Sequence, residues 1–111
     1  MSEVQQLKSQ LEYSKHLITL RDKVLELRKN ENFKYLIEEV FMEKECAAYA
    51  RESANHDLTP EERESSLAMA QAAGYLDKFL NKYLILGQQA ENTIPHIEQA
   101  ILEEAQAGND E

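Results

Sequence analysis

Tryptophan is absent from the 111 residues, cysteine occurs once, proline twice and glycine three times. A lone cysteine, Cys46, excludes an intrachain disulfide framework. So little Gly and Pro excludes folds that need a tight turn every ten residues, because those residues supply the turn dihedrals. No apolar run approaches the ~20 residues of a membrane-spanning helix. The opening MSEVQQLKSQ lacks the basic-then-apolar layout of a secretory signal. The expected location is the cytosol, or a particle assembled there.

The short patterns that announce catalysis are missing too. There is no glycine-rich phosphate or dinucleotide loop, no Gly-x-Ser-x-Gly and no His-Glu-x-x-His. The Glu-x-x-His spacing of carboxylate-bundle metal sites is also absent. His56-Asp57 with Glu61 and Glu62 suits a loop beside a helix start better than a metal cluster. Glu39, Glu43 and Cys46 share a helix face without a histidine, His16 suits a solvated flank, and Cys46 sits among alanines as a small packed thiol. The expectation is a protein with no catalytic, cofactor-binding or metal-ligating residues, and not an enzyme.

What the chain does have is helix-forming composition. Hydrophobic residues make up 42% and charged residues 30%, too apolar for a disordered chain. Leu, Glu, Ala, Lys and Gln dominate, the residues that lose least on entering a helix. The net charge of −9 is unevenly spread: +2 over residues 1–30, −3 over 31–54, −3 over 55–92 and −5 over 93–111. An acidic body repels phosphates, so neither direct nucleic-acid binding nor an anionic membrane surface is expected.

Apolar spacing predicts an all-α fold. A long first helix spans about Glu3 to Lys29. Its narrow stripe of Val4, Leu7, Leu11 and Ile18 is joined from Leu17 onward by Leu20, Val24 and Leu27. Asn30 ends this helix and caps the next, with Glu31 in the first turn. The second helix reaches Ala54, with Phe33, Leu36, Ile37, Val40 and Phe41 as its buried face. Thr59-Pro60-Glu61-Glu62 reads as a capping box with proline at the first helical position. The third helix runs from Pro60 to about Asn92, burying Leu67, Ala70, Ala73, Leu76, Leu80 and Leu84. Gly74 inside it suggests another backbone passing close, and Gly87 a weak point. Pro95 should stop it, with Thr93 capping a short fourth helix that holds Ile97, Ala100 and Ile101.

The middle of the chain resembles a family of small acidic helical proteins of tailed bacteriophages. The resemblance covers roughly residues 17–90. It rests on Asn30-Glu31-Asn32-Phe33-Lys34 followed by Leu36-Ile37, on the acid-rich stretch from Phe41 to Glu45, on the acid pair after Pro60, and on Gly74-Tyr75-Leu76 before Phe79-Leu80. Where the family pattern often has proline after the asparagine, this chain has Glu31. The resemblance implies a phage origin and a role in the virion or its assembly, in the host cytoplasm or the virion, with no catalytic motif to carry over.

The architecture expected is a single domain over residues 1–111. It is an antiparallel three-helix hairpin stack with a short fourth helix, residues 1–16 projecting and 106–111 frayed. The seam Val4, Leu7, Leu11 and Ile18 then becomes the partner interface, for a second copy or a phage structural protein. An intramolecular alternative stays open, in which the stripe Ile94, Ile97, Ile101 and Leu102 folds back to cover the seam. From another functional class, the −9 charge also suits an acidic inhibitor of a host nucleic-acid enzyme. Twelve Lys and Arg weaken that reading.

Overall fold

The first helix, α1, spans Glu3–Lys29. In the computed structural model, which describes residues 2–109, it begins on a reciprocal cap. The Gln5 N–H donates to Ser2 Oγ at 3.1 Å and the Ser2 N–H donates to Gln5 Oε1 at 3.3 Å. Two otherwise orphaned donors are thereby satisfied. Asn30 closes the helix, its N–H bonded to Leu27 O at 3.0 Å. Its side-chain Oδ1 accepts the Phe33 N–H at 3.0 Å, so one asparagine ends one helix and starts the next.

That next stretch is helical over the expected residues but not α-helical throughout. Phe33–Glu45 is a π-helix of 13 residues, passing into the α-helix α2 at Cys46–Ser53. At the junction the Cys46 N–H donates to Phe41 O, five residues back. An i→i+5 ladder takes more residues per turn than the 3.6 of an α-helix. Inward positions therefore recur every four or five residues. Phe33, Ile37 and Met42 are half-buried and Cys46 is buried, whereas Leu36, expected on the buried face, is 58% exposed.

Thr59 starts α3, which spans Pro60–Asn109. Thr59 Oγ1 accepts the Glu62 N–H at 3.1 Å, and Glu62 Oε1 accepts the Thr59 N–H at 3.4 Å. Thr59→Ala removes the side-chain acceptor and is expected to cost about 0.5–2 kcal/mol. A urea denaturation midpoint indistinguishable from wild type would show that this cap contributes nothing.

The expected break before Pro95 and the separate fourth helix are corrected. Pro95 lies inside α3, which stays continuous to Asn109. Residues 106–109 are therefore helical, where fraying was expected; residues 110 and 111 lie outside the described ones. Thr93 is no cap, because its hydroxyl donates to Gln89 O at 2.7 Å, four residues back within the helix. The physical reason lies in the inward stripe. Gly87, Ala90, Ile94, Ile97, Ile101 and Glu104 follow one another at spacings of three and four, all buried or half-buried, straight past the exposed proline. An interior proline costs about 3 kcal/mol. Withdrawing three isoleucines from water returns about 1.5–3 kcal/mol each when burial is complete, so continuity wins.

The contacts divide the chain into two units, Met1–Leu25 with Lys82–Glu111, and Glu26–Asn81. In the first unit Arg21 lies against Gly87 and Glu91. Lys8 and Leu11 line one groove with Glu98, Ile101 and Leu102. In the second unit the Cys46 thiol donates to Met69 O at 3.4 Å and the Ser66 hydroxyl donates to Glu52 Oε2 at 3.0 Å. In both units, numbers rise along one helix as they fall along the other.

Both units have thin cores. Leu17, Val24, Ala90 and Ile97 are the buried apolar residues of the first, Cys46 and Leu80 of the second. Among the described residues no side chain is less than 2% exposed.

Candidate interaction surfaces

The expected interface residues sit on one edge of α1 and are half-buried: Val4, Leu7, Leu11 and Ile18. Leu11 shares a groove with Ile101 and Leu102 of the C-terminal stripe on α3. Ile97 is buried and Ile94 and Ile101 are half-buried on the facing part of α3. Leu102 is 58% exposed. Lys8, Leu11, Glu98, Ile101 and Leu102 leave a shallow groove of about 310 Å³ between the helices.

Ser14, which breaks the apolar seam in the sequence, is buried at 8% exposure. A small residue at an inward position lets helix backbones approach. A tight approach comes one heptad further on. A Cβ built on Gly87 would overlap the Cβ of Arg21 and lie 2.9 Å from its Cγ and Cδ. Gly87 is thus where α1 crosses α3 tightly, not a place where the helix breaks. Gly74 is the reverse. The passing backbone expected there is not in this chain, since a Cβ on Gly74 would meet nothing within 4 Å. A mid-helix glycine costs about 1 kcal/mol against alanine, and no contact within the chain offsets that cost.

Arg21 crosses over Gly87 to reach Glu91 Oε2 at 2.6 Å and also holds Asp22 Oδ1 at 3.0 Å. The hydrogen bond to Glu91, then that to Asp22, raises the guanidinium pKa above its ordinary value. This cation, with only 14% of its side chain exposed, fixes where the two helices meet. It was not singled out from sequence, because a lone arginine among surface charges carries no spacing signal.

In the second unit a cavity of about 190 Å³ opens beside the π-helix, lined by Arg28, Phe33, Glu38, Met42, Glu43, Asp77 and Leu80. Phe33, Glu38 and Met42 come together through spacings of five and four, which only the wider ladder aligns. Arg28 is occupied within the chain, its Nη2 donating to Asp77 Oδ1 at 3.2 Å and Asn81 Oδ1 at 3.1 Å. Cys46 is a packed, buried thiol. His56 sits in the loop, its Nδ1 3.4 Å from Arg63 Nη1, and His16 is exposed. Among the described residues no three of His, Cys, Asp and Glu are placed to hold a metal ion. Among the described residues no helix is long and apolar enough to cross a membrane.

The large apolar side chains left outside belong mostly to the second unit. Tyr35 is 62% exposed, Leu36 58%, Leu67 47% and Tyr75 69%. Leu67 was expected in the core. It falls outside because the inward row of α3 runs through Ser66, Ala70, Ala73, Leu76 and Leu80, all buried or half-buried. No protein-family model, curated protein or solved structure matches the chain.

Proposed function

We propose that this chain is a non-enzymatic protein–protein interaction protein of the small acidic helical kind found in tailed bacteriophages. It acts in the virion or in its assembly, within the host cytoplasm or the particle, as a homo-oligomer that also meets a phage structural protein. Its scaffold is an antiparallel three-helix hairpin stack.

The observation that carries this reading is the inversion of apolar surface in the second unit. Large apolar side chains, among them Tyr35, Leu36, Leu67 and Tyr75 at 47–69% exposure, stand outside, while its buried apolar residues are Cys46 and Leu80. Exposed apolar side chains that share a face, as Leu67 and Tyr75 do on the outward side of α3, mark interaction sites. Tyrosine suits such surfaces because it joins an apolar ring to a polar tip. The α1 seam could serve a partner only by parting from Ile101, whereas these side chains are already outside. The pattern around Asn30–Lys34 and Gly74–Leu80 supports the phage context.

Sedimentation velocity at increasing concentration tests the self-association, and mass spectrometry of purified virions tests the context. The expected results are an association that follows mass action over about 10–300 µM and stoichiometric copies in the particle. A strict monomer that is also absent from virions would overturn the reading.

A further inference from the structure

The outward face of α3 between Glu64 and Lys78 is self-complementary, and we infer that it pairs with the same face of a second copy, antiparallel across a two-fold axis at Gln71. This rests on the self-association proposed above and names the surface that makes it.

The face lies opposite the inward row of Ser66, Ala70, Ala73, Leu76 and Leu80. It comprises Glu64, Leu67, Ala68, Gln71, Gly74, Tyr75 and Lys78, every one of them exposed. Read from Gln71 outward, the two halves match. A two-fold placed there sets Ala68 against Gly74 of the second copy, Leu67 against Tyr75, and Glu64 against Lys78. Each pairing then occurs twice, as an isologous contact requires.

Three independent features converge on this register. Small opposes small where backbones must come closest, and Gly74 has open space where its Cβ would be. The two large apolar side chains on this face, Leu67 at 47% and Tyr75 at 69% exposure, cover each other. The charges at the two ends are opposite. Neither Glu64 nor Lys78 is engaged within the chain, since the ion pairs among the described residues are those of Arg21 and Arg28. A heterologous helix would have no reason to meet a face whose halves complement each other. About four turns of helix from each copy, roughly 21 Å, make a small interface, so the dimer dissociates in the micromolar range.

Charge exchange tests the pairing, read by sedimentation velocity on the full chain. E64K alone and K78E alone each set like charges face to face twice and are expected to weaken association about tenfold or more. They move the net charge in opposite directions, so a general charge effect would weaken one and strengthen the other. The double variant E64K/K78E restores the opposite pairing and is expected to associate within about threefold of wild type. G74L should also weaken association while leaving helix content by circular dichroism undiminished, because leucine is the better helix former. If wild type associates and these variants associate equally, the face is wrong and self-association by another surface stands. If the single variants weaken the dimer and the double variant does not recover it, the pairing is overturned. A wild type that stays monomeric at hundreds of micromolar overturns the inference and the self-association together.

Discussion

Replacing Gly87 by leucine is expected to lower stability by about 2 kcal/mol, measured by urea unfolding, although leucine is the better helix former. The gain in helix propensity is about 1 kcal/mol. Against it stands a backbone approach so close that a Cβ on Gly87 would overlap the Cβ of Arg21. That atom is fixed to the α1 backbone, so only movement of a helix can relieve the overlap. Overpacking of this kind costs about 1–3 kcal/mol and occasionally more. The movement would also strain the 2.6 Å bond from Arg21 to Glu91. Gly74 is the internal control. The same substitution there meets open space and should leave the monomer at least as stable. Equal unfolding midpoints for the two variants would remove the close approach at Gly87.

The second large effect runs the other way. Pro95→Ala is expected to stabilise the chain by about 2 kcal/mol and to raise the melting temperature by roughly 10 °C. Alanine restores an N–H that can donate to the carbonyl of Glu91 and removes the ring that crowds it. Together these are worth about 3 kcal/mol in a helix interior. The offset is a more flexible unfolded chain, up to about 1 kcal/mol. Pro95 is exposed, so its removal opens no cavity. A lower melting temperature for the variant would show that the ring makes a contact worth more than the hydrogen bond it prevents.

The sequence made some of these features legible and hid others for definable reasons. The bounds of α1, the Asn30 junction and the Thr59 capping box depend on side chains two to four residues apart, and local spacing reveals them. The helical continuity past Pro95 depends on non-local burial of Ile94, Ile97 and Ile101, which no local rule for proline contains. The π-helix was hidden because Phe33, Leu36, Ile37, Val40 and Phe41 also satisfy an α-helical stripe. The i→i+5 ladder over Phe33–Glu45, which the Cys46 bond to Phe41 O closes, is what distinguishes the two. Of the surfaces, the stripe Val4, Leu7, Leu11 and Ile18 is legible as apolar spacing, but spacing alone does not separate a partner interface from a fold-back onto α3, and all four side chains are half-buried. The face from Glu64 to Lys78 is hidden in the sequence because Leu67 also fits the apolar stripe of Ala70, Ala73, Leu76 and Leu80. Once Leu67 is outside, Gly74 changes from a packing point within the chain to an unexplained gap.

A heptad stripe by itself is a poor ruler. If α1 slid along α3 by seven residues, part of its apolar stripe would again meet apolar side chains. Several alignments would then compete at similar free energy. Arg21 and Gly87 remove that degeneracy. Slid one way, the arginine stem would have to sit over Ile94; slid the other way, over Leu80. Both carry branched side chains where the true alignment has a hydrogen atom. The one glycine that looked like a flaw in the helix therefore works as an index mark, admitting a single alignment of two otherwise interchangeable ladders.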